Sequence, residues 1–240
     1  MTMIDPYGLS EYVLGDRVVR FGQLNSSTWD SEKEFGLFNN LTQVWAWNRA
    51  LVTVGVGKMS GLNASAGMLW HFLDDSGDIV IVPIDQIMKE DPLFATCMRT
   101  QVEQAMIFAE KLVCKNKVPT LISATKMDAF SLGGLNWGFA IHCFSASARA
   151  LVTKCGKKYQ MNWHFYLHDL YDWDLQSEGR GGLVTDRQMA MLHRNGFARE
   201  YPVSGRYDIE VSWQKGERLK SNFYETVSTG MVSPNYVLIR

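Results

Sequence analysis

The sequence predicts an α+β protein, in which an α-rich N-terminal half packs on a C-terminal antiparallel β-sheet that we expect to be half-barrel-like. From Leu93 to Lys115 apolar residues recur every three or four positions, as on one face of an amphipathic helix. Between residues 159 and 169 apolar and polar residues alternate instead, which is typical of a strand with one solvated face. A run of helices followed by a run of strands indicates the α+β class.

The N-terminal half is predicted to contain four helices and one short strand. Leucine, valine and tryptophan recur at helical spacing in its first part, and the turn residues Asp75–Asp78 precede a run of β-branched residues. The elements expected here are helices at about 35–54 and 64–73, a strand at about 79–83, and helices at about 84–90 and 93–115.

The C-terminal half is punctuated by glycines, and the segments between them have strand patterns. Thr185 is a suitable N-cap for a helix that Gly196 would end. The elements expected here are strands at about 136–146, 147–154 and 159–169, a helix at about 186–195 and a strand at about 205–214. We place the boundary between the two halves near residue 118.

Composition excludes several classes of function. The 240 residues carry 24 Lys and Arg against 25 Asp and Glu, so a nucleic-acid-binding surface is not expected. The sequence contains no run of eighteen apolar residues, so a transmembrane helix is not expected. Asp5, Glu11 and Asp16 stand where a secretory signal would need a basic start and an apolar core. The four cysteines lack zinc-ligand spacing and are expected to be reduced, buried thiols.

The densest polar cluster lies where the predicted strand at 159–169 ends. Alternation places His164 and His168 on one face of that strand, with Tyr166 between them. The cluster consists of His164, His168, Asp169, Tyr171, Asp172 and Asp174. Three carboxylates this close together suit a hard divalent cation such as Mg²⁺, shared with a phosphate. The alternative is an exposed acidic turn, with the histidines satisfied by hydrogen bonds.

Two further groups could complete a phosphate site. Arg180 lies on a glycine loop, and His193 and Arg194 end the predicted helix at 186–195. An arginine binds a phosphate through two parallel hydrogen bonds, and a histidine transfers protons near neutral pH. The alternative for His193 and Arg194 is that they complement the dipole of their helix.

The segment Asp169-Leu170-Tyr171-Asp172-Trp173 resembles the catalytic signature of the colicin M family. The segments Gln188–Tyr201 and Ser204–Trp213 are similar to the usual ending of domains carried by type VI secretion effectors. The resemblance covers about residues 120–215. It implies a Mg²⁺-dependent phosphodiesterase that cuts lipid II, the undecaprenyl-pyrophosphate-linked peptidoglycan precursor, on the lipid side of its pyrophosphate.

The resemblance also implies roles for individual residues. Asp169 and Asp172 would be the essential carboxylates and metal ligands, and Tyr171 would shape the site. His193 and Arg194 would serve proton transfer and phosphate stabilisation.

Other residues are expected to bind substrate, namely Arg180, Trp173 and His168. In the family the His-Arg pair follows the aspartates within a few residues, whereas here Glu178-Gly179-Arg180 occupies that stretch. Either the loop is an insertion and the pair folds back, or Arg180 replaces part of it. Trp137, Trp163 and Trp173 could line an apolar approach for the lipid, although core positions would also account for them.

This interpretation makes the protein an antibacterial toxin that is made in the cytoplasm, secreted, and active in the periplasm of a target bacterium. Residues 1–118 would dock on the secretion apparatus or brace a catalytic region at 119–240. The expected partners are lipid II, a cognate immunity protein and a type VI spike or tube component. The alternatives are a non-enzymatic membrane-perturbing toxin, suggested by the apolar, glycine-broken stretch 41–70, and a secretion-system adaptor domain.

Overall fold

A computed structural model describes residues 3–4, 10–14, 41–112, 120–132, 134–141, 143–174 and 183–219. Within these residues the helices are α1 (Leu41–Met59), α2 (Asn63–Leu73), α3 (Ile84–Glu90), α4 (Pro92–Leu112), α5 (Leu135–Ala140) and α6 (Asp186–Arg194). The strands are β1 (Met3–Ile4), β2 (Ser10–Leu14), β3 (Val80–Val82), β4 (Thr120–Ser131), β5 (Cys143–Cys155), β6 (Lys158–Tyr171) and β7 (Tyr201–Gln214). The α+β class predicted from the sequence is confirmed. None of the described helices is long and apolar enough to cross a membrane.

The strands form one sheet in the order β1-β2-β4-β5-β6-β7-β3. The four long strands β4 to β7 are antiparallel neighbours. An antiparallel sheet was expected for the C-terminal half, but the strand β4 was not. The N-terminal half adds strands on both sides of them, because β2 pairs with β4 and β3 pairs with β7, both in parallel, and β1 pairs with β2 at one edge. The sheet as a whole is therefore mixed, and both halves of the chain contribute to it.

One expected strand is wrong. The segment predicted as a strand at about 136–146 begins with the helix α5, and β5 starts only at Cys143. The segment at 147–154 belongs to that same strand. Hydrogen bonds from Gly134 and Trp137 to acidic residues before and at the start of α4 hold α5 in place, so tertiary contacts decide its conformation. The first helix was expected from residue 35, but residues 35–40 lie outside the described part of the chain.

The core lies between the helices and one face of the sheet. On β6 the odd-numbered side chains Trp163, Phe165 and Leu167 are buried. Phe94 of α4 packs edge-on against Phe144 and Phe165, with ring centroids 5.9 and 6.1 Å away. The even-numbered side chains of β6 face the other side of the sheet, where they are half-buried or exposed.

A buried carboxylate joins the start of α4 to the start of α5. Asp91 is only 1% exposed. One of its oxygens, Oδ1, accepts the backbone N–H groups of Leu93 and Phe94, each at 3.0 Å, and so caps α4. The other, Oδ2, accepts the backbone N–H of Gly134 at 3.0 Å. The acidic residue at this position thus has a structural role, because three N–H groups depend on it.

The same region ties α5 to two more helices. The Nε1 atom of Trp137 donates to the Glu90 carboxylate at 2.7 Å, and the side-chain amide of Asn136 donates to the same oxygen at 3.0 Å. The amide oxygen of Asn136 accepts the backbone N–H of Ala64 at 2.9 Å, in the first turn of α2. Helix α5 is therefore held between α2 and α3, where it forms part of the wall of the cavity described below.

The described thiols differ in their exposure. Cys97 and Cys155 are both free, Cys97 partly buried and Cys155 exposed. The expectation of a buried thiol is wrong for Cys155, because it ends β5 beside the turn at residues 156–157. The side chains of Cys114 and Cys143 lie outside the described part of the chain.

Replacing Asp91 with alanine is expected to lower the free energy of unfolding by about 3 kcal/mol, because the substitution removes a helix cap and leaves N–H groups without an acceptor. Urea denaturation monitored by circular dichroism measures this loss. The matched control is Asp85→Ala. The side chain of Asp85 is exposed and pairs with Lys89 at 3.6 Å, so its removal should change stability by about 0.5 kcal/mol or less. Equal losses in the two variants would contradict the role of Asp91.

Candidate functional site

The end of β6 carries two predicted site residues into the layer between sheet and helices. Asp169 and Tyr171 continue the odd-numbered row of β6, opposite Val203 and Tyr201 of β7. Because side chains on one strand alternate between the two faces, both must point to the side that the helices cover. Tyr171 is buried and Asp169 is partly buried.

Burial raises the pKa of the Asp169 carboxyl from 3.8 to about 7. The hydrogen bond with the backbone of Leu170 opposes this rise, and the negative charge of Asp172 adds to it. Asp172 itself is exposed. The charge of Asp172 thus acts on Asp169, and a pKa of about 7 is in the range of a general acid or base at neutral pH.

Aromatic rings hold this end of the strand in place. Tyr171 stacks on Tyr201 with ring centroids 4.9 Å apart, and Trp173 meets Tyr171 edge-on at 5.7 Å. Phe72 of α2 contacts both Tyr171 and Trp173, at 6.1 and 6.0 Å. The hydroxyl of Tyr201 donates to the carbonyl oxygen of Met68 at 2.7 Å. This packing fixes the residues on either side of Asp172.

Glu200 connects His193 with the segment that follows β6. Its Oε1 atom accepts the backbone N–H of Trp173 at 3.2 Å, and its own backbone N–H donates to Nδ1 of His193 at 3.2 Å. Because Nδ1 is an acceptor, a neutral His193 ring has its proton on Nε2, which lies 3.9 Å from Oε2 of Glu200. Two predicted site segments are thereby joined through a residue that sequence reasoning missed. A charged residue immediately before an apolar strand was the available signal.

The remaining predicted residues lie elsewhere. Arg194 is exposed in the last turn of α6. His168 lies on the opposite face of β6 from Asp169, so the structure does not bring it to the carboxylates. Burial lowers the pKa of His168, which favours a neutral ring. Arg180 lies outside the described part of the chain.

His164 has a partner on the same face as His168. Its Nδ1 atom lies 2.7 Å from Oδ1 of Asp208, whose other oxygen lies 2.7 Å from the guanidinium of Arg206. Burial raises the pKa of Asp208, but its hydrogen bonds with Arg206 and His164 outweigh that effect and lower it. For His164 the alternative interpretation, a histidine satisfied by hydrogen bonding, agrees with the structure.

A largely apolar cavity of about 250 Å³ lies beside the end of β6 and the segment that carries Asp169 and Asp172, which we call the acidic pair. Tyr171 and Trp173 belong to its lining. The other lining residues come from α1, α2, α5 and the start of α6: Thr53, Val56, Gly57, Ser60, Leu62, Ser65, Ala66, Leu69, Phe139, Leu183, Val184 and Asp186. A largely apolar cavity with a few polar groups is the usual form of a small-molecule site. Of the three tryptophans considered from the sequence, Trp173 lines this cavity, whereas Trp137 and Trp163 are core residues.

The acidic pair is chemically suited to Mg²⁺. The ion prefers hard oxygen ligands and commonly binds one or two carboxylates, together with waters and substrate phosphate oxygens. Asp169 and Asp172 supply two such carboxylates. In the described ranges no three His, Cys, Asp or Glu side chains gather as a set that could hold a metal.

Comparison with known protein families, with curated proteins and with solved structures finds no match for this chain. The likeness to the colicin M family accordingly depends on the residues at 169–173 and the segments that follow them.

The substitution Asp169→Asn is expected to stabilise the protein at pH 8. The Asp169 carboxyl has a higher pKa when folded, about 7 against 3.8, so its contribution to stability is complete below pH 4 and is lost as the pH rises through 7. Asparagine carries no charge to desolvate, and the gain should reach about 2 kcal/mol at pH 8 and shrink as the pH falls.

Urea denaturation of both proteins between pH 4 and pH 8, with EDTA present to remove divalent cations, tests this. Glu210→Gln, at an exposed position on β7, is the control and should show no such trend. A stability difference for Asp169→Asn that does not change with pH would contradict the burial of a charged carboxylate.

Proposed function

We propose that this protein is an antibacterial hydrolase that cleaves lipid II on the lipid side of its pyrophosphate. One observation carries the proposal: Tyr171 and Trp173 line the apolar cavity, Asp172 lies between them in the chain, and Asp169 precedes Tyr171 by two residues on β6. A substrate that places the head-proximal part of its apolar chain in this cavity would have its polar head near the acidic segment. Lipid II has that form, because its polyprenyl chain is esterified to a charged pyrophosphate.

The reaction adds water across the bond between phosphorus and the polyprenyl oxygen. The water oxygen bonds to phosphorus, the polyprenyl oxygen leaves, and that oxygen takes up a proton to give undecaprenol and the pyrophosphorylated disaccharide-peptide. Asp169, with its pKa of about 7, is suited to take the proton from water or to deliver one to the leaving oxygen. Mg²⁺ held by Asp172 would supply charge neutralisation at the phosphate oxygens, and Asp169 would be a second ligand only in its ionised form, when it is not the proton donor.

Within this proposal Glu200 is a positioning residue. It holds the backbone at Trp173, next to Asp172, and the ring of His193 in one arrangement. Arg194 and Arg180 remain the two candidates for stabilising the phosphate, as the sequence left them. The same proposal covers where the protein acts and what it meets. It would be made in the cytoplasm, delivered by a type VI spike or tube, act in the target periplasm and be countered by a cognate immunity protein. The resemblance to effector domains supports these expectations.

Asp172→Asn is expected to lower lipid II hydrolysis at least about 100-fold while leaving the fold unchanged, because it removes a carboxylate from the reacting phosphate. Purified protein is incubated with detergent-solubilised lipid II, with and without Mg²⁺, and the lipid products are resolved by thin-layer chromatography and mass spectrometry. The control Asp78→Asn, in an exposed turn, should release undecaprenol at the wild-type rate.

Three results would contradict the proposal. Release of undecaprenyl phosphate would place the cut within the pyrophosphate and require another mechanism. Undiminished killing of target cells by Asp172→Asn, without any hydrolysis by the wild type, would favour the membrane-perturbing alternative. An inert protein that is stably incorporated in a secretion particle would favour the adaptor.

Glu200→Ala is expected to lower kcat roughly tenfold while changing KM less, because it loosens the segment at Asp172 and Trp173 but removes no side chain that lines the cavity. Glu200→Gln retains an oxygen acceptor for the Trp173 N–H and should recover most of the lost rate. Steady-state lipid II hydrolysis measures both constants. Equal loss in the two variants would show that the charge of Glu200, and not its hydrogen bond, is what matters.

A further inference from the structure

Helix α1 has a second apolar face that is not buried in the core. Ala46, Ala50 and Val54 form its inner face and are at most 5% exposed. A different stripe points outward, with Trp45, Val52, Val56 and Met59 exposed by 57, 56, 49 and 90%. Their spacings of seven, four and three residues place them along one side of the helix. We call these four residues the outer face of α1.

The charges of α1 all have one sign. The helix contains no Asp or Glu, and its charged residues are Arg49 and Lys58. The guanidinium of Arg49 lies 4.5 Å from the centroid of the Trp45 ring, within the same outward-facing stripe. Lys58 is exposed beside Met59. The outer face is thus apolar with basic groups at two points, a combination that complements a negatively charged surface.

The outer face continues to the cavity beside the acidic pair. Val56 is both an outer-face residue and part of the cavity lining. Phe139 and Leu183 also line the cavity, and they are 53 and 43% exposed. Cavity-lining side chains that are this exposed mark where the cavity opens. The opening therefore lies at one end of the outer face and is itself bordered by apolar residues.

We propose that the outer face of α1 and the exposed cavity border form a docking surface for an anionic lipid bilayer. A tryptophan with aliphatic neighbours suits the membrane interface, and basic residues add attraction to anionic headgroups. The cavity would then open toward the lipid, so that an amphiphile could enter it from the bilayer without crossing water. A second copy of the chain fits this face less well, because pairing two outer faces would bring four positive charges together.

Sedimentation with vesicles tests the docking surface without any substrate. Wild-type protein should bind vesicles of phosphatidylcholine and phosphatidylglycerol (3:1) more tightly than vesicles of phosphatidylcholine alone. The double variant Val52→Asp, Met59→Asp should lower binding at least about tenfold. Arg49→Gln and Lys58→Gln should each lower binding to the anionic vesicles about fivefold and leave binding to neutral vesicles unchanged.

The matched control is Leu93→Asp, which replaces an equally exposed apolar residue on α4, 56% exposed, and should bind as the wild type does. Failure of wild-type protein to bind anionic vesicles, or equal binding by the double variant, would overturn the proposal. Dimerisation in analytical ultracentrifugation that is lost in the double variant, without vesicle binding, would assign the face to a second copy and also overturn it.

The docking surface and the proposed hydrolysis can fail independently. Val52 and Met59 do not line the cavity, so the double variant should hydrolyse detergent-solubilised lipid II at the wild-type rate while losing activity on lipid II in vesicles. Vesicle binding by a wild-type protein that hydrolyses nothing would support the docking surface and contradict only the enzyme.

Discussion

The hydrogen-bonded ladder between β6 and β7 is the constraint on which the candidate site depends. Its fourteen residue pairs run without a register shift from Lys158 to Tyr171, so every second side chain of β6 must face the helices. The first of these are apolar and form the core, but the same alternation also carries Asp169 into the apolar layer. An unfavourable position for a carboxylate therefore follows from backbone pairing that the rest of the sheet requires. Residues that lower the stability of the fold, as a carboxylate in an apolar layer does, are expected at functional positions.

The opposite face of the same ladder has a different chemistry. There His164, Asp208 and Arg206 form a chain of hydrogen-bonded polar side chains across two strands. A histidine-rich stretch that looks like one cluster in the sequence is thus divided by the sheet into two environments. One contains Asp169 and aromatic rings beneath the helices, and the other is a polar surface. Cross-strand pairing accounts for the second environment without a catalytic role.

Local patterns predicted much of the fold. Alternation identified β6, and Thr185 and Gly196 bounded α6, where Thr185 and Gln188 form a capping box. Helix α5 could not be predicted, because its conformation depends on acidic residues more than forty positions earlier in the chain. For the same reason the sequence indicated Asp169, Tyr171 and Asp172 but neither Glu200 nor the helical walls of the cavity. Those features arise from contacts between distant segments, which periodicity does not encode.

The pairing of β3 with β7 has a consequence for the order in which this protein can fold. Val80 lies opposite Val203, and the Tyr201 hydroxyl reaches Met68. As the ribosome releases the chain from its N-terminus, α1 and α2 emerge long before these partners are synthesised. The helices then expose both apolar faces until the final strand arrives, and closing so long a loop is slow. Folding is thus completed only after synthesis has passed β7, and until then the nascent chain is a natural client for chaperones that bind apolar segments.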